Sequence, residues 1–140
     1  MEGVKNINRE KAIFAFKSIN QEDILKCENF KSDLRQLPMY IYTNGLIATL
    51  LFILKKSKNG KEQNSYGKIQ GIIEDYIKNS NINSLDFHEK DLNKFVDSLF
   101  SRDSKQYRRI TLDIISLLDW LIKFADGMIE DKKGETNEAV

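Results

Sequence analysis

YIYTNGLIATL, residues Tyr40 to Leu50, decides the fold. Asn44-Gly45 stands between aromatic and β-branched residues, the strongest short-range signal for a β-hairpin. The flanks argue against it. This would be the one hairpin in the chain, and an isolated hairpin is marginal in water. Its second arm, LIATLLFIL (Leu46 to Leu54), does not alternate between polar and apolar positions. Helix is the better reading. Glycine in a helix interior costs about 1 kcal/mol against alanine, so something must offset it. Gly45 lets a second helix approach closely, or Asn44 offers its amide to a partner.

The segment around this dipeptide carries no charge from Pro38 to Leu54. That length touches the lower edge of a membrane span. Pro38, Thr43, Asn44, Gly45 and Thr49 interrupt it, and basic residues flank both ends. The expectation is a buried central helix, apolar on all sides. Pro38 either opens that helix at its first position or kinks a longer one.

Helical spacing continues on both sides. Upstream, a first helix is expected from near Asn8, a good N-cap residue, with Ala12, Phe16 and Ile19 on its apolar face. A second is expected from about Asp23, with Cys27, Phe30, Leu34 and Leu37 in one stripe. Cys27 then reads as a small core residue. Downstream, KKSKNGKEQN (Lys55 to Asn64) is a basic loop. Ser65 is expected to cap a helix carrying Tyr66, Ile69, Ile73 and Tyr76. NSNINS, Asn79 to Ser84, is a connector, and Asp86 with Glu89 has capping-box spacing. Leu92, Phe95, Val96 and Leu99 form the next stripe. In the last helix Tyr107, Ile110, Ile114, Leu117, Leu121, Ala125 and Met128 keep step, with Arg109, Asp113, Ser116 and Lys123 on a polar side. The chain therefore reads as all-α, a compact single-domain bundle of about five to six helices over residues 1–130. Residues 131–140 read as a polar, disordered tail.

Composition bounds the function. With 140 residues, 41% of them hydrophobic, the chain can bury a core. A net charge of +1 forces neither a nucleic-acid nor a membrane partner, so the distribution of charge matters more than its sum. The single cysteine allows no internal disulfide and fits a reducing cytoplasm. The N-terminus has no signal-peptide pattern. The single histidine, His88, has no second histidine or cysteine with which to share a metal. Phosphate-binding, zinc-protease and hydrolase motifs are missing. No cofactor, no metal and no catalytic activity are expected.

The basic residues carry more. Lys11 and Lys17 lie on the first helix, Lys31 and Arg35 on the second, and Lys55 follows the charge-free segment. Lys105, Arg108 and Arg109 crowd the start of the last helix, and Lys123 lies further along it. Cations at a helix N-terminus oppose the macrodipole, so KQYRR stands where stability alone would favour acids. Phosphate contact is one use for such a placement; ordinary solvated surface charge is the other reading.

Three stretches point to a family. LRQLPMYIYTNGLIATLLFILKKS, YRRITLDIISLLDWLIKFADGMI and REKAIFAF resemble the small subunit of the Cmr complex, the fifth subunit of the type III-B CRISPR RNA-silencing effector. The order of Leu37-Pro38, Asn44-Gly45-Leu46, Phe52, Tyr107-Arg108-Arg109 and Trp120-Leu121 carries the match. Ile122 departs from it, standing where the family often has a basic residue. Residues 58–102 match in helical character alone. The resemblance implies a non-catalytic all-α subunit that stacks head to tail in a minor filament. Its neighbours would be the backbone and large subunits, and its basic surface would face target RNA paired to guide RNA. Arg108, Arg109, Lys31 and Arg35, then Lys11, Lys17, Lys55 and Lys123, are the candidate RNA-binding residues. The rivals are the analogous small subunit of the type III-A complex and a helical adaptor that binds protein alone.

Overall fold

A computed structural model of the chain describes residues 2–78 and 91–130, with side chains from residue 8 onward. Among these residues every regular element is a helix. The order is α1 (Glu2–Ile19), α2 (Glu22–Leu25), α3 (Phe30–Asn44), α4 (Leu46–Lys56), α5 (Ser65–Lys78), α6 (Leu92–Leu99) and α7 (Ser104–Met128). The all-α expectation holds, with seven helices where five to six were expected.

The extra helices come from two breaks. The first follows α2, where Asn29 adopts a left-handed φ of 68°. The stripe from Cys27 to Leu37 therefore crosses a break: Phe30, Leu34 and Leu37 are fully buried on α3, and Cys27 is half-buried before it. Pro38 lies inside α3 rather than at its start.

The second break answers the question posed by Asn44-Gly45. The site is neither a hairpin nor a helix interior. Gly45 has φ 90° and ψ 164°, ends α3 and precedes α4. Its N–H donates to the Ile41 carbonyl at 2.8 Å, closing α3. Its own carbonyl accepts from the Thr49 N–H at 3.2 Å and the Thr49 hydroxyl at 2.9 Å, opening α4. Glycine is required by this backbone, which residues with a Cβ rarely adopt. A Cβ built on Gly45 would meet only the Tyr107 hydroxyl, at an ordinary 3.6 Å. Close helix approach is therefore not the reason for glycine.

Nor is the charge-free segment a fully buried helix. Each half buries one stripe: Leu37 and Ile41 on α3, then Leu46, Leu50 and Ile53 on α4. Met39, Tyr42 and Leu51 point outward, at 65%, 68% and 48% exposure. Low charge marked the segment as apolar but could not tell which of its faces packs.

The long helix α7 packs against α1 and α3, and α4 packs against α3, α5 and α6. Asp103 starts α7 with a capping box: its carboxylate accepts from the Gln106 N–H at 2.8 Å, and the Gln106 side chain accepts from the Asp103 N–H. Asp91 caps α6 by accepting from the Asn93 N–H. Asn64, not Ser65, caps α5, accepting from the Gly67 N–H. Ser65 is instead the first helical residue, and its hydroxyl donates to Asp33. The spacing Asp86–Glu89 and His88 lie outside the described residues.

At the N-terminus α1 begins at Glu2, before Asn8, and its buried face is rotated from the expected one. Lys11, Ala15, Ser18 and Ile19 face inward, while Phe16 and Ile13 are partly exposed. That inward face carries an ion pair. Lys11 Nζ stands 2.8 Å from Asp113 Oδ1, with the two side chains 10% and 8% exposed. The Tyr76 hydroxyl donates to the same oxygen at 2.6 Å. Burial first, then the Asp113 carboxylate, push the Tyr76 phenol above its ordinary range. Asp113 thus belongs to the α1–α7 contact, not to an outer polar face.

Candidate nucleic-acid interface

The α7 helix presents an outward face bearing Lys105, Arg108, Arg109, Leu112, Asp119, Lys123 and Asp126, all exposed. Its 25 residues span about 37 Å. The capping box at Asp103 holds the first turn, so Arg108 and Arg109 project from ordered helix.

Tyr107, beside them, reaches across to the glycine break. Its hydroxyl accepts from the Ile47 N–H at 3.2 Å. Gly45 has no side chain to cap α4, so Tyr107 satisfies one of the unpaired N–H groups of that helix start. The Tyr-Arg-Arg and Asn-Gly-Leu sequences are therefore one structural unit. The apolar stripe placed Tyr107 in the core but said nothing of its hydroxyl. The signal lay in chemistry, since a partly buried tyrosine usually finds a hydrogen-bond partner.

The candidate basic residues are not gathered into one patch. Arg108 and Arg109 stand at the start of α7. Lys31 and Arg35 stand at its other end, about 26 Å away measured along the helix. Arg35 grips Asp126 through Nη2 and Nε at 2.6 and 3.1 Å, and Lys31 donates to the Ile129 carbonyl at 3.2 Å. Lys11 is withdrawn into its ion pair with Asp113. Lys123 Nζ lies over the Trp120 ring, 4.9 Å from its centre, where cation–π attraction holds it. Lys17 and Lys55 are exposed in the last turns of α1 and α4. Arg108 and Arg109 differ from Arg35 and Lys11 in making no ion pair among the described residues.

The three stretches that carried the resemblance are now placed. They form α1, the α3–Gly45–α4 unit and α7, and Tyr107 ties the last two together. The sequence pattern of the family described as CRISPR-associated protein (Cas_Cmr5) matches residues 7–128. The chain belongs to that family. The Cas_Cmr5 match runs from α1 to the last residue of α7, so it covers the helical body of the chain. No curated protein matches it. As a Cas_Cmr5 member the chain is a CRISPR-associated Cmr subunit.

Other features of the site are limited. Among the described residues no group of three or more His, Cys, Asp or Glu side chains could hold a metal ion. No helix among them is long and apolar enough to cross a membrane. Burial pushes the Cys27 thiol above its ordinary range, away from the thiolate that nucleophilic chemistry needs.

Proposed function

We propose that the chain is the non-catalytic small subunit of a cytoplasmic type III-B CRISPR complex. It stacks head to tail in a minor filament, touches the backbone and large subunits, and lends a basic surface to target RNA paired with guide RNA. Family membership supports the assembly. Exposed Met39 and Leu51 supply apolar area of the kind subunit contacts use.

One observation carries the RNA contact. Arg108 and Arg109 are adjacent, exposed and without an ion pair among the described residues. Their position in the first turns of α7 opposes its macrodipole. Lys31 and Arg35, engaged at the other end of α7, belong to the internal structure first. Phosphate contact by such residues gives affinity without sequence readout, which suits a complex where base pairing supplies specificity.

The test is a complex rebuilt with Arg108→Glu and Arg109→Glu. Guide loading and incorporation of the subunit should be normal, and target capture should weaken. Normal incorporation with unchanged capture would favour an adaptor that binds protein alone.

A further inference from the structure

Resting on the stacking in that reading, we propose that Phe100 and Asp97 of one copy dock on an aromatic seam formed by Phe16, Trp120 and Phe124 of the next. The seam joins α1 to α7. The Phe16 and Phe124 rings meet edge to face, their centroids 5.6 Å apart. The Trp120 and Phe124 rings stack at 5.9 Å. The Trp120 indole N–H donates to the Asn8 side-chain oxygen at 3.4 Å, which holds the indole against α1. Phe16 is 42% exposed, and Ile13, one turn before it, is 37% exposed. Trp120 and Phe124 are half-buried. Three linked rings thus remain open to solvent.

The seam is also cationic. Lys123 Nζ lies 4.9 Å from the centre of the Trp120 ring. None of the residues three or four places from Phe16, Trp120 or Phe124, their neighbours on a helix face, is acidic. Such a surface fits a partner that brings an apolar ring together with a carboxylate. The chain carries that feature itself. Phe100 is the C-cap of α6 and is 70% exposed, more than any other large hydrophobic residue among those described. Its N–H donates to the Asp97 carbonyl at 3.3 Å, so the two residues share the last turn. Asp97 is exposed too, and its carboxylate makes no ion pair among the described residues.

Knob and seam lie toward opposite ends of α7. Phe100 precedes its first residue, Ser104, and Phe124 follows Ser104 by twenty residues, about 30 Å along the axis. One copy can therefore offer its knob to a second while its own seam receives the knob of a third. Such a heterologous contact repeats along a stack. The rings carry the affinity, because an exposed ion pair contributes little. Asp97 against Lys123 sets the register.

The experiment traps the contact in rebuilt complexes with a short bis-maleimide linker. Cysteines are placed beside the two features, at exposed Asn20 and Ser101, in a full chain carrying Cys27→Ser. Asn20→Cys alone and Ser101→Cys alone should give no linked subunits. The chain with both should give linked stacks that keep one free cysteine at each end. Adding Phe100→Ser should cut the linking by about 10-fold or more, and adding Met39→Ser, at another exposed apolar residue, should not. Asp97→Lys should cut it by about 2- to 5-fold, and Lys123→Glu in the same chain should restore it. Linking in either single-cysteine chain overturns the docking, because like faces would then meet. So do linked pairs that lack a free cysteine, which are closed dimers. Linking indifferent to Phe100→Ser or to the charge reversals overturns it as well. If the double-cysteine chain enters the complex and is not linked, the docking falls and the small-subunit reading stands. If the wild-type chain does not enter the complex, that reading itself falls.

Discussion

At single positions, the two residues that most change the sequence reading are Gly45 and Lys11. Gly45 looked like a tolerated cost within a helix; its φ of 90° makes it a requirement. Gly45→Ala should therefore destabilise the fold by about 1–2 kcal/mol, the penalty for a Cβ in left-handed space. Denaturant unfolding checks this, and a midpoint equal to wild type would contradict it. Lys11 was read as a surface cation because its partner, Asp113, is remote in sequence and lay on what looked like a polar face. No pattern within one helix can reveal a pair that forms between two. Lys11→Met should leave the Asp113 carboxylate buried with the Tyr76 hydroxyl as its remaining partner. Removing one side of a buried pair costs about 3–5 kcal/mol. The same unfolding measurement applies, with a loss below about 1 kcal/mol as the contrary result.

For elements, legibility followed periodicity. The apolar stripe of α7 was readable because its residues keep one phase from Tyr107 to Met128, but Asp113, expected on the polar side, is buried against α1. The stripe of α6 was readable for the same reason. The breaks at Asn29 and Gly45 were not, since a stripe can continue in phase across a short interruption. The exposed side of α3 and α4 was also hidden: without charges to mark a polar face, Met39, Tyr42 and Leu51 look like core. The bond from the Ile47 N–H to the Tyr107 hydroxyl is the element-level feature most open to test. Tyr107→Phe keeps the ring and removes the acceptor, so it should cost about 1 kcal/mol, the worth of a lost helix cap. Amide hydrogen exchange should show the Ile47 N–H losing protection. Protection equal to wild type would mean that the hydroxyl does not serve α4.

On the scale of the whole molecule, helical class and the family were open to the sequence, because motif order survives without any knowledge of packing. The layout of the basic surface was not. Eight candidate cations were chosen by their position on helices, and tertiary contacts sort them into different states. Lys11 is buried, Arg35 is engaged by Asp126, Lys123 covers Trp120, and Arg108 and Arg109 face outward. In the proposed function the outward pair, and not the internally engaged cations, meets RNA phosphates. The measurement is the dependence of single-stranded RNA affinity on salt concentration, for the full chain carrying Arg108→Gln with Arg109→Gln, and separately Arg35→Gln. Each lost phosphate contact lowers the logarithmic slope by about 0.7 on a single strand. The double variant should show a fall of about 1.4, independent of RNA sequence, and Arg35→Gln no fall. An unchanged slope in the double variant, or an equal fall per arginine in Arg35→Gln, would contradict it.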